Sequence, residues 1–88
     1  MKFEIKKYDA YGNKYHIELN EVISDIIDMD TGIARYLGLT YDNYINILKS
    51  YNAYLPVNYI EYYFNTVEDA EKAIIKLESH LVMKKLVE

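Results

Sequence analysis

Apolar and polar residues alternate over residues 2–8 and again over 14–19. Phe3 and Ile5 fall on one side of the first stretch, and Tyr15, Ile17 and Leu19 on one side of the second. A period of two puts successive side chains on opposite faces of a half-buried strand. Asp9-Ala10-Tyr11-Gly12-Asn13 between them carries turn chemistry, because Gly12 and Asn13 both tolerate positive φ. The segment predicts a β-hairpin with His16 on its polar face.

Beyond the hairpin the period becomes helical. Asn20 has the chemistry of an N-cap, and Val22, Ile23, Ile26 and Ile27 form one stripe with Asp25 and Asp28 opposite. That helix is expected to stop near Asp30-Thr31-Gly32. A second, short helix is expected over 33–37, ending at Gly38 as the residue that leaves the helix in the left-handed conformation. Thr40 caps a third over 41–50, with Tyr44, Ile45, Ile47, Leu48 and Tyr51 inward. Residues 52–58 hold the only proline, Pro56, and read as a loop. Residues 59–64 are β-branched and aromatic, which suits a strand. Thr66-Val67-Glu68-Asp69 is a capping-box variant. The helix it opens is expected to bury Val67, Ala70, Ala73, Ile74 and Leu77, to expose Lys72 and Lys76, and to fade near Ser79-His80. The pattern over 81–87 allows either a further strand or a helical end.

The expected fold is therefore α+β, in the order ββαααβα, with residues 1–88 as a single domain. The hairpin and the strand near 59–64 share a small antiparallel sheet, covered on one face by the helices at 41–50 and 67–79. Each element has one apolar face and none is stable alone.

Composition narrows the setting. A chain of 88 residues has a thin stability margin, and it compensates with 51% hydrophobic and 15% aromatic residues. It has no cysteine, which removes disulfides, thiolate nucleophiles and thiolate metal sites and suits a reducing cytoplasm. The N-terminal residues alternate charged and apolar side chains, so no signal peptide is expected, and no stretch approaches the roughly 20 apolar residues of a membrane span. Ile, Tyr, Asn and Lys make up 38 of the 88 residues. Their AT-rich codons suggest a low-GC bacterial or phage genome, and the same bias raises the tyrosine content.

The net charge of −4 is unevenly spread. Residues 1–15 and 72–88 each carry a balance of +2, whereas 16–49 and 50–71 each carry −4. The acidic middle repels nucleic-acid phosphate and suits a basic protein surface.

Several constellations resemble known chemistry in part. Residues 33–45 and the turn that follows resemble a helix-turn-helix, with Ala34, Gly38, Tyr44 and Ile47 filling the expected roles approximately. Its reading segment, 40–46, contains no Arg or Lys to reach guanine or phosphate. Residues 62–74 resemble the strand-turn-helix of ferredoxin-like domains, RNA-recognition modules included, but no second aromatic strand with basic flanks completes a platform. Asp25, Asp28, Asp30 and Gly32 resemble part of a calcium loop whose twelfth-position acid is missing. His16 and His80 have no metal-ligand spacing, Ser24, Ser50 and Ser79 lie in no nucleophile motif, and three scattered glycines make no phosphate cradle. No metal, cofactor or catalytic residue is expected, and the chain reads as non-enzymatic.

Tyr8, Tyr11, Tyr36, Tyr41, Tyr54, Tyr59 and Tyr63 fall outside the expected core stripes. Tyr combines apolar area with a polar handle and is enriched at interaction hot spots. Length, acidity, tyrosine content and the lack of a site are similar to those of small phage or mobile-element accessory proteins that inhibit host machinery, anti-CRISPR proteins among them. The resemblance implies a cytoplasmic, acidic protein that binds a host protein, such as a nucleic-acid-binding or defence protein, through a basic surface. Asp28, Asp30, Tyr36, Tyr41, Asp42, Tyr54, Tyr59 and Glu61 are the expected partner-binding residues. Two other readings remain open: a small transcription regulator using residues 33–50, and a homo-oligomeric assembly protein whose hairpin edge pairs with a second copy.

Overall fold

The computed structural model describes residues 3–8, 14–20 and 28–87, with side chains through residue 80. Strands β1 (Phe3–Tyr8) and β2 (Lys14–Leu19) pair antiparallel, Phe3 opposite Leu19 and Tyr8 opposite Lys14. Helices α1 (Met29–Leu37), α2 (Tyr41–Ser50) and α3 (Val67–Val87) follow, so the class is α+β. The helix expected to begin after Asn20 falls on residues 21–27, outside the described residues.

The register places Phe3, Ile5, Tyr15, Ile17 and Leu19 on one face of the hairpin, as the alternation requires. Ile17 and Leu19 are buried there with Ile33, Ala34 and Leu37 of α1, Tyr44, Ile45 and Leu48 of α2, Phe64, and Ala70, Ala73 and Leu77 of α3. Each helix brings one stripe to this common core, which supplies the burial that no single element achieves alone.

Local chemistry sets the helix ends. Thr40 Oγ1 accepts from the Asn43 N–H at 3.1 Å, and Thr66 Oγ1 from the Asp69 N–H at 3.1 Å. At the end of α1, Gly38 sits at φ 74, with its N–H on the Arg35 carbonyl and the Leu39 N–H on that of Ala34. Asn52, at φ 71, ends α2 in the same way, its N–H on the Lys49 carbonyl and the Ala53 N–H on that of Leu48. Both are Schellman closures that satisfy the last carbonyls.

Several expectations change. The acid-rich stretch around Asp30 does not stop a helix but starts one, because Asp28 caps the N-terminus of α1 by accepting from the Thr31 N–H at 2.9 Å. Residues 59–64 do not form a regular strand. Two antiparallel bridges remain, Phe64 with Tyr15 of β2 and Tyr63 with Tyr54. Of the two endings open for residues 81–87 the helical one is realised, so α3 continues to Val87 past Ser79-His80, where it was expected to fade. Within α3, Val67 in the first turn is exposed and Ile74 is half-buried.

Candidate functional site

The chain between Tyr54 and Tyr63 is closed at its neck by a reciprocal pair of backbone bonds, Tyr54 N–H to the Tyr63 carbonyl at 2.9 Å and Tyr63 N–H to the Tyr54 carbonyl at 2.8 Å. Within it the Tyr59 N–H closes a tight turn on the Pro56 carbonyl at 3.1 Å, with Asn58 at φ 69, a conformation Asn tolerates better than most residues. This loop turns its apolar side chains outward. Leu55 is 47% exposed, Val57 85%, Tyr59 39% and Ile60 72%. Single exposed apolar residues are ordinary, but four in six consecutive positions are a patch.

Aromatic rings brace the loop from the hairpin side. Tyr63 is buried, and its ring meets Tyr59 edge-on at 5.4 Å, Tyr8 of β1 edge-on at 5.9 Å and His16 of β2 at 5.2 Å. The Lys14 ammonium lies over the Tyr59 ring, 5.9 Å from its centroid. Burial and the Glu18 carboxylate, which accepts from the Tyr8 hydroxyl at 2.8 Å, push that phenol up to about 12.

Beneath the loop lies a buried polar cluster. Asp30, expected at the surface where a preceding helix stops, is instead fully buried in the first turn of α1. Its Oδ2 accepts from the Tyr62 N–H at 2.8 Å, and the Tyr44 hydroxyl approaches Oδ1 at 3.5 Å. His16, expected on the polar face of its strand, is also buried. Its Nδ1 lies 3.1 Å from the Tyr62 carbonyl. A carbonyl only accepts, so Nδ1 carries the hydrogen. His16 Nε2 faces Glu61 Oε1 at 3.5 Å but makes no hydrogen bond among the described residues. Glu61 Oε2 accepts from the Met29 N–H at 2.8 Å, which ties the loop to the first turn of α1.

Burial pushes the Asp30 carboxyl up to about 6. The charge of His16 and the Tyr62 N–H act in the opposite direction, and Glu61 and Asp28 add to the rise. Burial also holds the Tyr44 phenol well above its usual range, and the Asp30 charge beside it does the same.

The eight expected partner-binding residues therefore separate. Tyr41 and Asp42 are exposed on α2, and Tyr59 is exposed on the loop. Asp28 is half-buried, with both carboxylate oxygens engaged by Thr31. Tyr54 and Glu61 are half-buried parts of the loop's neck and base, and Tyr36 packs against the core. Asp30 corrects the expectation outright: its carboxylate supports the loop from inside and cannot reach a partner. Tyr63 is likewise core rather than surface, and Tyr11 lies outside the described residues.

The loop over 51–59 is expected to belong to the binding surface, but Leu55, Val57 and Ile60 are not marked individually, and His16 is expected on the polar outer face of the hairpin rather than in the interior. A signal for the first three was present: Leu-Pro-Val-Asn-Tyr-Ile mixes apolar residues with turn formers and has no period that could bury them together. Nothing local marked His16 for burial.

Among the described residues no group of three or more His, Asp or Glu is placed to hold a metal ion, and no helix is long and apolar enough to cross a membrane. No family model, curated protein or solved structure matches the chain.

Proposed function

We propose that this chain is a non-enzymatic protein-binding module, an acidic inhibitor of a host protein of the kind phages direct against nucleic-acid-binding or defence machinery, and that loop 55–60 is its principal contact. The observation that carries this reading is the outward display of Leu55, Val57, Tyr59 and Ile60 on a loop fixed at neck and base. A loop held in one conformation has little ordering entropy left to lose on binding, so its apolar area converts to affinity more fully. The acidic middle of the chain, with Tyr41 and Asp42 exposed on α2, would steer a basic partner surface and raise the association rate.

A pull-down from a low-GC bacterial lysate, run in parallel with Val57→Asp and Ile60→Asp, tests the reading. A partner with a basic surface, retained by the native chain and released by both variants, is the expected result. Equal retention by native and variant chains would remove the loop from the interface. Sedimentation of the purified chain addresses the homo-oligomer alternative: a dimer that dissociates on Ile60→Asp would assign the loop to self-association instead.

A further inference from the structure

Two buried ionisable side chains from two different elements grip one peptide unit each side of a single loop residue. Asp30 of α1 takes the Tyr62 N–H at 2.8 Å, and His16 of β2 takes the Tyr62 carbonyl at 3.1 Å. Both side chains are at most 1% exposed. These are the backbone groups with which Tyr62 would otherwise continue the short pairing of Tyr63 and Phe64. The base of the loop is therefore held by two ionisable side chains rather than by strand pairing.

We propose that Asp30 and His16 are positioning residues for the apolar loop, and that the charge state of Asp30 sets how tightly the base of the loop is held. The biological weight of this rests on the loop being the contact surface, whereas the clamp itself stands on geometry.

When Asp30 is ionised, its bond from the Tyr62 N–H is charge-assisted, and such bonds are shorter and stronger than neutral ones. The ionised carboxylate also attracts His16. Protonation removes both effects and relieves the cost of holding a charge out of water. The ionised state thus holds Tyr62 more tightly, while burial favours the protonated state and has pushed the carboxyl up to about 6. The surroundings of Asp30 are charged or titratable on every side: His16 from β2, Glu61 from the loop, Asp28 from its own helix cap, and Tyr44 and Tyr41 from α2. Tyr63 also feels its charge, and the Lys49 ammonium of α2 lies 5.7 Å from the centroid of the Tyr62 ring.

Nuclear magnetic resonance of the full chain, titrated to either side of pH 6, reads the clamp directly. The Tyr62 amide and the methyls of Leu55, Val57 and Ile60 are expected to shift together with one midpoint near about 6. The Tyr62 amide is expected to lose exchange protection on the acid side, while the Tyr63 and Tyr54 amides keep theirs. Asp30→Asn, which keeps an acceptor for Tyr62 but cannot ionise, should abolish the common transition. Loop signals that stay flat in the native chain would overturn the proposal, as would an unchanged transition in Asp30→Asn. Should that variant fail to fold, the native titration alone decides. None of these readouts needs a partner, so a loop that titrates but binds no protein would refute the proposed function and leave the clamp standing.

Discussion

The Tyr62 N–H reaches the buried Asp30 carboxylate at 2.8 Å, across 32 positions of chain. That one bond connects the first turn of α1 to the base of the apolar loop, and its energetics depend on pH. The folded carboxyl is raised from 3.8 to about 6, chiefly by burial. A raised carboxyl binds its proton more tightly folded than unfolded, so its contribution to stability is fully present below pH 3.8 and is lost as pH rises through about 6. Across that window the native chain should lose a few kcal/mol relative to Asp30→Asn. Urea denaturation of both proteins at a series of pH values measures the difference. Parallel pH profiles would mean that Asp30 keeps an ordinary affinity for its proton.

Val57 and Ile60 offer a contrast. At 85% and 72% exposed they bury little area within the fold. Val57→Asp and Ile60→Asp are expected to change the free energy of unfolding by no more than about 0.5 kcal/mol. An unfolding midpoint displaced well beyond that would show that these side chains serve the fold, and would weaken the case that they are displayed for a partner.

Phe64 is fully buried at the point where the loop rejoins β2, with its N–H and carbonyl both paired to Tyr15. Truncation to Ala leaves a cavity in the centre of the core. The expected cost is about 3–5 kcal/mol, a large share of what a domain this small possesses. Thermal denaturation checks it, and a near-native melting temperature would place the ring outside the cooperative core.

Gly38 closes α1 at φ 74, and nothing lies within 4 Å of where its Cβ would be. Gly38→Ala therefore meets no clash and bears only the backbone penalty of the left-handed conformation, about 1 kcal/mol. Gly38→Asn should cost less, because Asn tolerates that region. Equal costs for the two variants in chemical denaturation would contradict this account.

The exposed residues of α2 include Tyr41, Asp42, Asn43 and Asn46, and its one basic residue, Lys49, lies over the Tyr62 ring. Sequence-selective duplex binding that survives physiological salt is not expected from such a helix. A mobility-shift assay at low and then physiological salt is the check, and selective retention at the higher salt would revive the regulator reading of residues 33–50.

Much of the architecture is legible wherever a local rule acts alone. Alternation located both strands and put Ile17 and Leu19 inward. Thr40 and Thr66 marked helix starts through the reach of a hydroxyl to a nearby N–H, and Gly38 marked a helix end through its freedom at positive φ. The stripe of Ala70, Ala73 and Leu77 fixed the buried side of α3. Each of these depends on residues within about one or two turns of one another, which a linear pattern records.

The tertiary structure decided the rest, and for one physical reason. Asp30 and His16 are polar residues at positions where periodicity expects a solvated face. They are buried because Tyr62, 32 and 46 positions away, brings them an N–H and a carbonyl to satisfy. The same contacts engage the Tyr62 backbone groups that a third strand would have used, so residues 59–64 form isolated bridges and a projecting loop. Local patterns in the chain set both strands of the hairpin, most helix ends and the greater part of each apolar face. Which polar groups could leave water, and which apolar ones had to remain in it, depended on partners that only the assembled fold brings together.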